Sequence, residues 1–319
     1  FLGVASIIGW HRYHDPVPQL STGRLLVQIE KEERRIAHDP AEQHVRDHFL
    51  NEAQGLQERI SQLPQSFDHA REALNAQLKL ARERNAPLRE IKALERQREE
   101  FPPDAATASI LWNEQREDAL ARSRIGPPST EPFPSASENE RGTERLNFVL
   151  LVFCLMVGTA SLPHILTRFH TTPSVRETRN SVGWTLFFVV LLYVSAPALA
   201  ALVKLDLLQH LVGTPFADLP QWVVPWRKVD PSVLTLHDIN GDGIVQWAEV
   251  MMQPDMVVLA APEIAGLPYV LSGLIAAGAL AAALSTADGL LLTIANALSH
   301  DVYFHMIDNN ASHQRRVTS

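Results

Sequence analysis

The sequence contains a single cysteine, and it lacks the residue clusters that mark several classes of protein. Cys154 has no second cysteine to pair with, so a disulfide within the chain is excluded. Lys and Arg number 28 against 36 Asp and Glu, and no basic stripe outweighs the neighbouring acids, so no nucleic-acid partner is expected. There is no glycine-rich phosphate loop and no nucleophile motif. We therefore expect that the protein is not an enzyme.

The mean hydropathy of −0.05 averages a polar first half and an apolar second half, so it describes neither. Residues 1–10 are apolar and predict the end of a transmembrane helix. The chain opens without Met and stops soon after an apolar span. We therefore expect it to be part of a longer protein, whose function has to be inferred from this part.

Residues 11–145 predict a polar helical insertion that ends in a Pro-rich linker at 126–142. Apolar residues recur at helical spacing, which predicts two or three amphipathic helices folded as a hairpin. These residues are Val45, Phe49, Leu56, Ile60, Leu63, Phe67, Ala70, Leu74 and Leu78. The insertion is either a docking module for a partner or another subunit, or a solvated insertion that packs on itself. The sequence identifies no protein partner.

Residues 146–203 predict two transmembrane helices, at 146–167 and 182–203, because each run has about the 20 apolar residues that cross a bilayer. Pro163 lacks a backbone donor, so it should break or kink the first helix. The carbonyls freed by such a break are available to an ion or a substrate.

The charges of the loops predict the orientation in the membrane. The short loop at 168–181 holds three Arg and one Glu, an excess typical of cytoplasmic loops. The segment 204–263 holds eight acidic and three basic residues, so we expect it to be extracytoplasmic. By alternation the insertion lies outside too, and residues 304–319 lie in the cytoplasm.

Within the acidic segment, residues 238–249 read DINGDGIVQWAE and fit the 12-residue EF-hand loop. The oxygen ligands for Ca²⁺ would come from Asp238, Asn240, Asp242, Ile244 by its carbonyl, Gln246 and Glu249. We expect a structural Ca²⁺ that pins the segment over the outer vestibule, with short helices at 231–237 and 247–252. The alternative is an Asp/Asn/Gly turn without an ion.

Residues 264–303 predict the last transmembrane helix, and 264–287 hold no charge. Its many Ala and Gly residues favour close packing against other helices. Ser285 and Thr286 place two hydroxyl oxygens near the carboxylate of Asp288, and such oxygens suit a hard cation such as Na⁺. Asp288 would pair with a cation, face a cavity or be protonated; alternatively, it lies near the cytoplasmic end and is solvated or caps backbone groups.

This last span resembles the second signature of the sodium/solute symporter family, which has two alanines, paired hydroxyl residues and an Asp before an aliphatic–Tyr pair. The matching residues are Ala281, Ala282, Ser285, Thr286, Asp301, Val302 and Tyr303. The runs GTASLPHILTRFHTTPSVRETRNS and STADGLLLTIANALSHD are most similar to the acetate-permease-like, short-chain monocarboxylate branch. The resemblance covers residues 1–20 and 146–307.

The resemblance implies an all-α integral membrane bundle, part of a leucine-transporter-like fold of inverted repeats, with the polar helical insertion added. It implies that Ala282 by its carbonyl, and Ser285 and Thr286 by their hydroxyls, form half of a Na⁺ site. The family's first core helix supplies the other half, and we do not find that helix in this sequence. At the position of Asp288 the resemblance suggests a second cation site or a group for proton coupling.

The resemblance also implies that Thr159, Ser161 and His164 line the substrate cavity, although His164 could equally be a histidine packed between helices. The predicted function is sodium-coupled symport of a small monocarboxylate by a multi-pass protein of the cell inner membrane, embedded in the lipid bilayer. A symporter-like module of a membrane sensor is the alternative. A third hypothesis, a calcium-binding scaffold, rests only on the outer segments.

Overall fold

The computed structural model describes residues 2–84, 86–133, 138–162, 173–230 and 232–307. Apart from one small sheet, the regular elements of these residues are helical. The first six helices are α1 (Leu2–Tyr13), α2 (Pro18–Ala37), α3 (Pro40–Ser61), α4 (Gln65–Glu83), α5 (Leu88–Glu99) and α6 (Ala105–Ser123). The later helices are α7 (Glu138–Ala160), α8 (Val175–His210), α9 (Val223–Val229), α10 (Pro254–Ile264) and α11 (Tyr269–Asn296). The strands are β1 (Leu234–Leu236) and β2 (Val250–Met252).

Among the described residues, three helices are long and apolar enough to cross a membrane: Glu140–Ala160, Val175–His210 and Tyr269–Ser299. In the most apolar 18 residues of α7 and of α11, no residue is buried. In the corresponding stretch of α8, a third of the residues are buried. We call α7, α11 and the part of α8 before Ser195 the exposed spans. They identify the chain as a helical membrane protein.

A packed region, which we define as α1–α6, the part of α8 from Ser195 onward and residues 211–267, contains the main core. Leu199, Leu202, Leu205 and Leu208 are each almost fully buried, and because three residues turn a helix by about 300°, they spread over about half of the circumference of α8. They form one cluster with apolar residues of α1, α2 and α10. Burying one such Leu contributes about 1.5–3 kcal/mol, so the C-terminal half of α8 holds the region together.

The insertion consists of five helices, α2–α6, in the described residues, where the sequence predicts two or three. The predicted apolar positions Val45, Phe49, Leu56, Phe67 and Leu78 are all buried. Helix α3 packs along α6, whereas α2 packs along α8. Asp39 is the N-cap of α3, and its side chain accepts the N–H of Ala41. Asp104 is the N-cap of α6, and its side chain accepts the N–H of Thr107.

The predicted spans and the helices differ at their ends. Helix α8 continues past the predicted end at Val203 as far as His210, because its buried Leu residues continue. The apolar run from residue 264 is divided between α10 and α11. Gly266 lies in the left-handed region at φ 75° and Pro268 precedes α11, so the chain turns between the two helices.

Candidate functional site

The predicted Na⁺ ligands lie on α11, a continuous helix rich in Ala and Leu, both strong helix formers. The hydroxyl of Thr286 donates to the carbonyl of Ala282 at 3.1 Å. This bond places two of the three oxygens assigned to the main cation site next to each other. The hydroxyl oxygen of Thr286 keeps its lone pairs for an ion, whereas the Ala282 carbonyl also accepts the backbone N–H of Thr286 within the helix.

A helix turns by about 100° per residue, so Ser285 and Thr286 flank the line through Ala282. Asp288 lies about 60° from Ser285 and about 160° from Thr286 around the same axis. The side chains of Ser285, Thr286 and Asp288 are exposed in the structure. The geometry of α11 therefore groups Asp288 with Ser285 and separates it from Thr286.

After Asn296 the helix continues as π-helical turns from Ala297 to Ile307. The remaining signature residues, Asp301, Val302 and Tyr303, lie in these turns. π-Helical turns are rare, and they occur mostly as single turns inside α-helices, frequently at functional sites. The two halves of the signature thus lie on two different kinds of helix.

The predicted substrate residues lie at the end of α7. The hydroxyl of Thr159 donates to the carbonyls of Leu155 at 2.8 Å and Met156 at 3.1 Å, and that of Ser161 donates to the carbonyl of Gly158 at 3.0 Å. Helix α7 ends at Ala160, three residues before Pro163. Pro163 and His164 lie outside the described residues, so the predicted break and the third substrate residue stay predictions.

The acidic loop at 238–249 winds its backbone around its own side-chain oxygens. Asp238 accepts the N–H groups of Gly241 at 2.7 Å and Gly243 at 2.9 Å. Both of these glycines have φ 73°, the left-handed conformation that glycine adopts freely. Glu249 accepts the N–H groups of Ile239 at 2.7 Å and Gln246 at 3.1 Å, which joins the end of the loop to its start.

The prediction of short helices on either side of this loop is wrong. Residues 234–236 and 250–252 form the antiparallel strands β1 and β2, with Leu236 opposite Val250, and Trp247–Glu249 make a single 3₁₀ turn. Leu234 and Leu236 are buried and alternate with Thr235, which is the period of a strand. The next helix, α10, begins two residues after β2, at Pro254.

Carboxylates dominate the electrostatics of the loop. Burial and the negative charges of Asp238 and Asp242 raise the pKa of Glu249, against the lowering effect of its two backbone hydrogen bonds. The amide groups of Asn240 and Gln246 both donate to Asp242 Oδ2, at 2.9 and 2.7 Å. Within the described residues, no group of three or more His, Cys, Asp and Glu side chains is placed to hold a metal ion. A metal here would depend on amide and carbonyl oxygens as well.

The side chain of Gln246 is 4% exposed, and its amide lies between Asp242 and Glu249. Its Oε1 lies toward the N–H of Glu249, but that N–H donates to the backbone carbonyl of Gln246 at 3.2 Å. Among the described residues Oε1 therefore has no hydrogen-bond partner. A buried polar atom without a full hydrogen bond costs about 1–3 kcal/mol, and the N–H of Glu249 is the donor that Oε1 faces.

Helix α3 contacts this loop directly, a contact that the sequence analysis missed. Glu42, 1% exposed, accepts the N–H of Ala248 at 3.2 Å and pairs with Arg46 at 2.6 Å. Arg46 also donates to the carbonyls of Arg122 and Arg124 at the end of α6. The only local signal is the spacing, since Glu42 and Arg46 stand one turn apart beside the apolar stripe of α3.

A second cluster that the sequence analysis missed surrounds Asp206 on α8, which is 4% exposed. Arg12 Nε lies 3.5 Å and His210 Nδ1 lies 3.2 Å from its Oδ1. These three residues line a cavity of about 390 Å³ between α1, α8 and the start of α11. Glu263 also lines this cavity, and it accepts the indole N–H of Trp226 at 3.0 Å.

Comparison with known proteins places these features in context. The chain is 69% identical over its 319 residues to an uncharacterized symporter of Cupriavidus necator and covers 47% of it. A stretch of 174 residues, 53% of this chain and 24% of the relative, is 29% identical to a monocarboxylic acid transporter of Corynebacterium glutamicum. The chain thus spans about half the length of the first relative.

No family model and no solved structure matches the chain. The two relatives, together with the membrane-spanning helices, support a transporter family for this chain.

Proposed function

We propose that the chain is part of a sodium-coupled symporter that carries a short-chain monocarboxylate such as acetate across the cell inner membrane. The whole protein would have the inverted-repeat fold of the sodium/solute symporter family and work by alternating access. The names of the two relatives, a symporter and a monocarboxylic acid transporter, support the type of transport and the class of substrate. The symporter signature on α11 supports the coupling to Na⁺.

The observation that carries the proposal is the adjacency of the Ala282 carbonyl and the Thr286 hydroxyl, 3.1 Å apart on an exposed face of α11. In this proposal Na⁺ binds at Ala282, Ser285 and Thr286 and favours the outward-open state, in which the substrate binds. Asp288 lies on the Ser285 side and holds a second cation or a coupled proton. The carboxylate of the substrate lies near Thr159, Ser161 and His164 at the end of α7.

The test is uptake of radiolabelled acetate and propionate by proteoliposomes that contain the full-length protein, with and without an inward Na⁺ gradient. Thr286→Val removes the hydroxyl at almost constant volume and should reduce sodium-driven uptake at least about tenfold, the effect of losing about 1.4 kcal/mol of binding. The matched control is Thr293→Val, because the Thr293 hydroxyl makes the same kind of bond, to Gly289 at 2.9 Å, two turns along α11.

Equal losses in the two variants would contradict a special role for Thr286. Uptake that follows a proton gradient and ignores Na⁺ would contradict sodium coupling, and Asp288→Asn would then identify the proton site. If substrate binds but does not move under any gradient, transport itself is contradicted and the sensor hypothesis takes its place.

A further inference from the structure

The loop at 238–249 concentrates negative charge without a basic partner. It holds Asp238, Asp242 and Glu249 within 12 residues and contains no Lys or Arg. The ion pairs of the described residues include none of these three carboxylates. The neutralising contacts they do have are N–H donors from the backbone and from two amides.

Gln246 gives an independent sign of a bound cation. Its side chain is more than nine-tenths buried, its Nε2 lies 2.7 Å from Asp242 Oδ2, and its Oε1 has no partner among the described residues. Rotation of the amide by 180° exchanges Oε1 and Nε2. A cation beside Asp242 would replace the Nε2 donor there: with the amide rotated, Gln246 Oε1 and Asp242 Oδ2 would bind it together, while Nε2 would turn toward Glu249.

The other oxygens of the loop fit a hard divalent cation. Asp238 and Glu249 use their oxygens to bind backbone N–H groups, and each oxygen keeps a lone pair. With the carbonyl of Ile244 and the amide oxygen of Asn240, the loop offers about the six to eight oxygens that Ca²⁺ requires. Mg²⁺ demands a smaller, nearly octahedral set and fits such a mixed loop less well.

The same loop is a binding surface for α3. Ile239 and Ala248, the second and eleventh residues of the loop, pack with Val45 and Phe49 of α3. The N–H of Ala248 donates to the buried carboxylate of Glu42, whose partner Arg46 reaches the last carbonyls of α6. A change in the conformation of the loop would therefore alter the contacts that hold the α3–α6 pair in place.

We propose that residues 238–249 bind Ca²⁺ and that the bound ion fixes the α3–α6 pair of the insertion to the rest of the packed region. The ion holds the loop in the shape that presents the Ala248 N–H to Glu42. When the loop is empty, α3 and α6 loosen together while α2 stays packed on α8. The ion thus sets the rigidity of the insertion.

The test is hydrogen exchange of the full-length protein in detergent, measured by mass spectrometry with 10 mM Ca²⁺, with 10 mM Mg²⁺ or with chelator. Extracellular Ca²⁺ loops bind with a Kd of about 0.1–1 mM, so linkage predicts that Ca²⁺ slows opening at least about tenfold. We expect this slowing in peptides that cover 238–249 and 42–49. Equal slowing by Mg²⁺ would overturn the assignment to Ca²⁺.

Two variants and a control separate the site from the coupling. Asp238→Asn combined with Asp242→Asn should abolish the effect of Ca²⁺ on both peptides. Glu42→Gln should keep the slowing in 238–249 but lose it in 42–49. The control is Asp230→Asn, which removes a carboxylate eight residues before the loop. Its Oδ1 accepts the backbone N–H of Ser232 at 2.8 Å, and its loss should leave the effect of Ca²⁺ on both peptides unchanged.

Each remaining outcome overturns a defined part of the proposal. Absence of Ca²⁺-dependent slowing in 238–249 would overturn the site. Slowing in 238–249 alone, with 42–49 unchanged in the unmodified protein, would overturn the coupling. Thermal unfolding of the double variant in chelator should match that of the unmodified protein in chelator, and a lower Tm would mean that the variant is misfolded. In that case titration of the unmodified protein with Ca²⁺ by calorimetry still decides the question.

Discussion

The C-terminal half of α8 and the whole of α11 are both apolar, yet different surroundings cover their side chains. Leu202 and Leu205 of α8 are fully buried by other parts of this chain, whereas Leu280 and Leu291 of α11 are more than 60% exposed. Hydropathy therefore identifies both stretches as apolar, but it does not show whether protein or lipid covers their side chains. The packed region is thus covered by its own chain, whereas the candidate sites on α7 and α11 lie on helices whose side chains are exposed in the structure.

Glu42→Ala should have the largest effect, and it should be confined to the packed region. The change leaves Arg46, 9% exposed, without its buried carboxylate partner. Removing one member of a buried pair costs about 3–5 kcal/mol, because a buried charge is left uncompensated. Hydrogen exchange of α3 and α6 should accelerate while that of α11 stays unchanged.

The control for this prediction is Glu52→Ala, which removes an exposed carboxylate of the same helix. Acceleration that reached α11 to the same degree would break the distinction between the two regions.

Leu202→Ala against Leu186→Ala tests the same distinction within one helix. Leu202 is fully buried, so its truncation leaves a cavity and should cost about 2–5 kcal/mol. Leu186 is 58% exposed in the membrane half of α8, and its truncation should cost less than about 0.5 kcal/mol. Denaturant titration of the full-length protein in detergent measures both losses.

Similar losses at the two positions would contradict the comparison. They would show that the membrane half of α8 packs in the whole protein as tightly as its C-terminal half packs here.

Asp104→Ala should have the smallest effect, with a defined dependence on pH. The backbone N–H of Thr107, 2.7 Å from the carboxylate, lowers the pKa of Asp104 in the folded state. The carboxylate therefore stabilises the fold above the pKa of the unfolded chain, and this contribution is lost as pH falls through the folded-state pKa. The variant should lower Tm by a few degrees at pH 7 and match the unmodified protein in acid.

Asp47→Ala removes an exposed carboxylate from the middle of α3 and is the matched control. A difference in Tm that persists unchanged in acid would mean that the Asp104 effect does not come from the charged cap.

The sequence predicts well what depends on neighbouring residues. The spacing of Val45, Phe49 and Leu56 identifies a buried face, because each contact of that kind repeats with the helical turn. The strands around the acidic loop were missed because β1 and β2 exist only through their pairing with each other. The bond between Glu42 and Ala248 joins residues 206 positions apart, so no local pattern could reveal it. The ligand roles on α7 and α11 stay predictions from resemblance.

Helix α8 has a consequence for how the membrane boundary is crossed. Its 36 residues extend over about 54 Å, whereas the hydrocarbon core of a bilayer is about 30 Å thick. The apolar stretch at 180–203, between Arg179 and Lys204, extends over only about 36 Å, so the two polar ends of the helix reach beyond the hydrocarbon core. The C-terminal half of the helix packs against α1, α2 and α10. Lys204 in this half pairs with Glu33 of α2 at 2.5 Å. The first helix of the polar insertion is thereby joined directly to the end of a long apolar helix.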